Sequence, residues 1–182
     1  MYGSPAGCGN PPWIVSTDDT SRRSLQPMED SELDIQVIDD EQVLETCTHV
    51  FVEAFAAEPW NEVWPADTVR ARLGEVLAVP RSVGLTAVHD GQCVGFLVGY
   101  LESFHPVDRF QLAEMAVRPD RQGHGVGTGL VRELLDRLAM AGVGEVYLIT
   151  SRGESPEAFW NDRSFVSSRG RVVMVALAER AT

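Results

Sequence analysis

The spacing of apolar residues along the chain switches between a helical and a two-residue period, and each switch marks an element. Val43, Cys47, Val50 and Ala54 share one helical face with Leu44 and Phe51 beside them, which predicts a helix entered through Asp39-Asp40-Glu41 and running to about Phe55. Pro65 opens a second helix carrying Val69, Leu73, Val76 and Leu77, and Pro80 ends it. Residues 83–89 then alternate as a strand into Asp90-Gly91, a two-residue hairpin signal, and residues 93–101 form the return strand. After a connection over 102–109, a further strand starts at Phe110 and ends in the apolar run 112–117. Leu130, Leu134 and Leu138 fall at i, i+4 and i+8 beside Val131, Leu135 and Ala139, which predicts an amphipathic helix stopped by Gly142 and Gly144. Residues 35–38 read as a first strand and 146–149 as a buried one. Ser155-Pro156 reads as an N-cap with proline at the first helical position of a short helix through Arg163. Phe165 and residues 172–177 read as a terminal hairpin. The predicted order is β-α-α-β-β-β-α-β-α-β-β, an α/β chain without internal repeats.

The turn between the strand at 112–117 and the helix after it carries the chemistry. Residues 123–129 hold four glycines, which lets the backbone approach a ligand with its N–H groups exposed, and the helix N-terminus adds partial positive charge. Such a turn is an anion cradle. A nucleotide P-loop requires Gly-Lys followed by Ser or Thr, and the chain contains no lysine. A G-x-G-x-x-G dinucleotide fingerprint fails as well, because its third position falls on Thr128 or Leu130. A glycine-rich turn without a ligand is the remaining alternative.

Composition narrows the setting. At 182 residues and 44% hydrophobic content, one folded domain over 32–182 is expected, preceded by an extension over 1–31 whose Gly, Pro and Ser content reads as disorder. A start at Met28 would remove only this head. The extension lacks the pattern of a secretory signal, and no run approaches the ~20 apolar residues of a membrane span, so a cytoplasmic protein with no membrane partner is expected. Cys8, Cys47 and Cys93 are odd in number and far apart, which reads as reduced thiols. The four histidines are scattered, and no metal is expected. Net charge is −12, with twelve acidic and no Arg or Lys residues between Arg23 and Arg70. That argues against a nucleic-acid partner. The acidic region is either a solvated surface or an attractor for a cationic amine.

Gln122-Gly-His-Gly125-Val-Gly127 resembles the Gln/Arg-x-x-Gly-x-Gly/Ala acetyl-CoA signature of the GNAT superfamily of N-acetyltransferases, and the flanking strand, Arg118-Pro119 turn and Leu/Val-rich helix match too. The resemblance covers residues 35–177. It implies the GNAT fold, a mixed, mostly antiparallel twisted sheet of six to seven strands flanked by four helices, and acetyl-CoA as co-substrate. It further implies that Met115, Ala116 and Val117 pair with pantetheine, while Gln122, Gly123, His124, Gly125, Val126, Gly127 and Thr128 cradle phosphate.

Transfer requires a neutral amine, and deprotonating an alkyl ammonium of pKa ~10.4 at neutral pH costs roughly 4 to 5 kcal/mol, so a base helps. Glu114, an acid inside an apolar strand, is the candidate catalytic base, since partial burial would raise its pKa; a structural carboxylate paired with an Arg or a backbone donor is the alternative. Attack is expected directly on acetyl-CoA, without an acyl-enzyme. The family's usual Tyr general acid is replaced by Trp160, which leaves Tyr147 and Ser151 as substitutes. Glu58, Trp60 and Trp64 are candidate acceptor-binding residues, with two anchoring tryptophans as the alternative. The expected acceptor is the primary amine of a small cationic molecule. Acetylation of a protein or peptide amine and non-catalytic acyl-CoA binding are the other readings, and the terminal hairpin is a place for homodimer pairing.

Overall fold

The structure, a computed structural model, describes residues 33–152 and 154–176. The extension over 1–31, with Cys8, and Leu177 of the expected hairpin lie outside them. The chain divides into two units, Met1–Ile149 and Thr150–Thr182.

The first unit runs β1 (Asp34–Val37), α1 (Glu41–Ala56), α2 (Ala66–Leu77), β2 (Ser82–His89), β3 (Gln92–Glu102), β4 (Arg109–Val117), a single 3-10 turn (Pro119–Arg121), α3 (Val126–Met140) and β5 (Glu145–Leu148). Local chemistry sets the boundaries. Asp40 caps α1 by accepting the Val43 N–H at 2.7 Å. Asp90 and Gly91, at φ 52° and 72°, make the tight turn between β2 and β3. The strands lie in the order β1-β2-β3-β4-β5, antiparallel throughout except for the parallel pair β4–β5, between which α3 crosses over.

Each face of the sheet is covered. On one, Cys47, Val50, Phe51 and Ala54 of α1 and Val69 and Leu73 of α2 bury Phe96, Val98 and Ala116. On the other, a Cβ placed on Gly95 would stand 2.9 Å from Val126 Cγ1 and 3.3 Å from Leu130 Cδ1, so α3 packs directly on β3 there. No helix of the described residues is long and apolar enough to cross a membrane.

The second unit holds α4 (Glu154–Asn161). The helix starts one residue before the expected Ser155 cap and ends two before Arg163; Ser164, at φ 65°, closes it as Phe165 N–H returns to Trp160 O at 3.1 Å. Among the described residues the expected terminal hairpin is not formed: residues 162–176 carry no strand, and the sheet has five strands rather than six to seven. Val172, Met174 and Val175 are more than four-fifths exposed. A β-branched run signals strand locally, but a strand exists only where another backbone meets its hydrogen bonds, and that requirement is non-local.

Candidate active site

The parting of β4 from β5 builds the site. Their pairing runs from Arg109↔Glu145 to Leu112↔Leu148, where β5 ends while β4 continues to Val117. Beyond Leu112 the strand neighbour of β4 is therefore β3 alone. The β3–β4 register also slips at this point: Gly99 faces Leu112 while Val98 faces Glu114, so Ala113 is an extra, bulged residue. Without a bulge, Leu112 and Glu114 would share a face. With it, Leu112 stays with Gly99 on the α3 side, and Glu114 and Ala116 turn with Val98 and Phe96 toward α1 and α2. Gly99 permits the close approach, since a Cβ there would lie 2.2 Å from Gln111 O.

Backbone alternation then separates the three residues expected to meet pantetheine. Arg118 N–H donates to Val94 O of β3 at 2.9 Å, so the backbones of Ala116 and Arg118 belong to the β3 ladder, and those of Met115 and Val117 point to the open edge. Gln122 Nε2 takes one of these groups, Val117 O, at 3.1 Å and ties the glycine loop to the strand end. His124 Nδ1 lies 2.8 Å from Gln122 O.

In the loop, Gly123 and Gly125 adopt φ 76° and 84°, and nothing stands within 4 Å of where either Cβ would be. Gly125 is the N-cap of α3 and supplies no side-chain hydrogen bond to the first turn. The helical ladder starts with Gly129 N–H donating to Gly125 O at 2.9 Å, placing the amides of Val126 and Gly127 ahead of it. The side chain of Val126 is in the core, so its contribution to a cradle is its backbone alone. Open space above two left-handed glycines, a helix N-terminus and an adjacent unpaired strand edge fit an extended ligand with an anionic end, as acetyl-CoA is. Arg118, by contrast, is engaged with Asp120 at 2.8 Å and Gln92 at 3.1 Å, and Asp120 is held below the ordinary carboxylate range chiefly by Arg118.

Glu114 has a side chain only 10% exposed. Burial pushes its pKa up, opposed by the guanidinium of Arg72, whose Nε donates to Oε1 at 2.7 Å and whose Nη2 reaches the same oxygen. Arg72 also lines a groove of about 470 Å³ with Trp64, Asp67, Thr68, Ala71 and Glu75. Of the three expected acceptor residues, the fold brings Trp64 into this groove, where its Nε1 donates to Glu62 at 2.7 Å and its ring meets Phe51 edge-on at 5.5 Å. It does not bring Trp60 or Glu58 there: Trp60 packs on Phe55 at 5.3 Å, and Glu58 is exposed.

On the Glu114 face, farther along the sheet, Tyr100 donates to Gln111 Oε1 at 2.5 Å, and Tyr147 OH bonds Glu102 at 2.7 Å and lies 3.1 Å from Gln111. Burial and Glu102 push the Tyr147 phenol up to about 12, which makes it a poor proton donor to a thiolate near 8.5. In the second unit, Trp160 is packed edge-on against Phe159 at 4.9 Å and Phe165 at 5.1 Å. Sequence reasoning missed Arg72, which carries no local signal because its partner is 42 positions away.

Five strands in sequential order, one parallel pair that parts, and a glycine loop leading into the crossover helix define an N-acetyltransferase architecture. Residues 47–159 match the acetyltransferase (GNAT) family, and the chain belongs to it. Over 54 residues it is 46% identical to an L-2,4-diaminobutyric acid acetyltransferase of Nocardia farcinica, a match spanning 30% of this chain and 28% of that protein's length. Among solved structures, a transcriptional regulator from Bacillus halodurans aligns with a TM-score of 0.64 at 18% identity, covering 80% of this chain and 100% of that one. An aminoglycoside acetyltransferase from an uncultured soil metagenomic sample, in complex with sisomicin, aligns with a TM-score of 0.62 at 14% identity, covering 81% and 97%. At such identities the fold is what is shared.

Proposed function

We propose that this protein moves the acetyl group of acetyl-CoA directly to a primary amine of a small cationic acceptor. The observation that carries the reading is the bulge at Ala113, which turns Glu114 to the face of α1 and α2, against Arg72 at the border of the groove, on the stretch of β4 that has lost its β5 partner. Acetyl-CoA, when bound, supplies the thioester. Met115 and the N–H of Val117 offer the free backbone edge to its arm, the Val117 carbonyl being held by Gln122, and the loop from Gln122 to Thr128 meets its phosphates. Glu114 accepts the proton of the incoming ammonium, and burial suits it to the task by bringing its pKa closer to that of the amine. Trp64, Asp67 and Glu75 favour a cation in the groove. The diaminobutyric acid acetyltransferase match supports a small amine acceptor. The test is thiol release from acetyl-CoA against a panel of mono-, di- and polyamines, amino acids and amino-terminal peptides. Release driven by small amines supports the reading. Release driven by peptides alone would replace the acceptor, and release with neither would sink the reading.

A further inference from the structure

Glu114 does not wait for its substrate unpaired. Arg72 places two nitrogens on its Oε1, yet the Arg72 side chain is 50% exposed while that of Glu114 is 10% exposed. The pair is therefore one buried anion and one cation that can leave for solvent by rotating its own side chain. Arg72 also borders the groove, whose other charged residues, Asp67 and Glu75, have no ion-pair partner among the described residues. With Arg72 swung out, the groove is lined by one aromatic face and two carboxylates, and the carboxylate that Arg72 leaves behind, Glu114, is the third acid at its border.

We propose that Arg72 is a resident counter-ion for Glu114 that the ammonium of the acceptor displaces, so that acceptor binding exchanges one cation for another on the same carboxylate oxygen. The inference rests on the acetyltransferase reading for the identity of the incoming cation. Exchange has a physical rationale. A buried carboxylate with no partner is strongly disfavoured, so a resident cation keeps the empty site ionised and oriented. An ammonium then replaces it without a separate desolvation of Glu114. No covalent bond changes in the exchange; the proton moves later, from ammonium to carboxylate.

Other titratable groups on this face are Cys47 and Glu53 of α1, Tyr100, Glu102 and Cys93 of β3, and Tyr147 of β5. Glu53 lies beside Arg118 at 4.0 Å and Tyr147 is bonded to Glu102. Among the charged groups of the described residues, Arg72 is the one within ion-pair distance of Glu114.

The test compares wild type with Arg72→Gln and Arg72→Lys, using 1-aminobutane and 1,4-diaminobutane as probes. Two readouts are independent of turnover: calorimetric amine binding at a pH above the Glu114 midpoint, and carbon NMR titration of the Glu114 carboxyl, assigned with Glu114→Gln. Removing a competing cation should tighten amine binding several-fold in Arg72→Gln and raise the Glu114 midpoint by about one pH unit, as loss of an adjacent opposite charge does. Arg72→Lys should fall between. In turnover the acid limb of kcat/KM should move upward together with a lower KM for the amine. Unchanged or weaker amine binding with an unmoved midpoint would overturn the exchange, as would a fall in kcat alone. If no amine supports thiol release in wild type, the acetyltransferase reading fails, while amine binding and the NMR midpoint still decide the exchange.

Discussion

Glu114 is held between two opposed effects, and its behaviour with pH follows from their balance. Burial raises its pKa and Arg72 lowers it, with burial the larger. It must be ionised to take a proton, so kcat/KM should fall as pH drops through a midpoint above the ordinary carboxylate range, and Glu114→Gln should lower turnover about 10²–10⁴-fold with acetyl-CoA affinity nearly intact. Equal turnover in both forms would return Glu114 to a structural role. The same shift is linked to stability. A carboxyl whose folded pKa lies above its unfolded value binds its proton more tightly when folded, so its contribution is present below the unfolded pKa and is lost as pH rises through the folded one. Melting temperature against pH should show that decline in wild type and lack it in Glu114→Gln. The acid was legible in the sequence because a carboxyl stands out in an apolar strand. Its partner was not, since Arg72 sits among ordinary polar residues of α2 and meets Glu114 only through the packing of α2 over the sheet.

At the scale of elements, periodicity identified α1, α2, α3 and the β2–β3 hairpin, because burial of one face writes itself into spacing, while α4 was read from its cap signal and β1 and β5 from short apolar runs. Two features escaped it. The bulge at Ala113 is a mismatch between two strands, so neither strand alone displays it, although it decides that Glu114 faces α2. Gly99 is its nearest sequence trace: Gly99→Ala would force a Cβ to 2.6 Å from the Phe110 ring and closer still to Gln111 O. It should destabilise by about 1–3 kcal/mol or more in denaturant unfolding, and a change near zero would mean that the strands reseat freely. The terminal hairpin failed for the complementary reason, an apolar run whose partner strand composition cannot supply. Packing of α3 is testable too. Leu134 is 1% exposed, and Leu134→Ala should cost about 2–5 kcal/mol by emptying the α3 interface, read as a lower unfolding midpoint; a loss well under 1 kcal/mol would show that α3 collapses into the space.

For the whole molecule, charge and cradle divide the work. Net charge is −12 and the arginines before the glycine loop, Arg118 and Arg121, are both paired with Asp120, so in the proposed cradle an anionic ligand is met by the helix N-terminus and the loop's backbone N–H groups. Amine binding should weaken with added salt, as screening shortens the reach of the acidic surface; binding indifferent to salt would confine recognition to the groove. The loop before α3 is, in the proposed function, an acetyl-CoA cradle built on backbone exposed by glycine. It is tested most directly by calorimetric titration of acetyl-CoA into wild type and Gly125→Val. Valine at φ 84° is strained by about 1–2 kcal/mol and puts a branched side chain where space is now open, so the folded variant, checked by its melting transition, should lose saturable binding that wild type displays. Binding of equal strength in both proteins, or none in wild type, would contradict the claim.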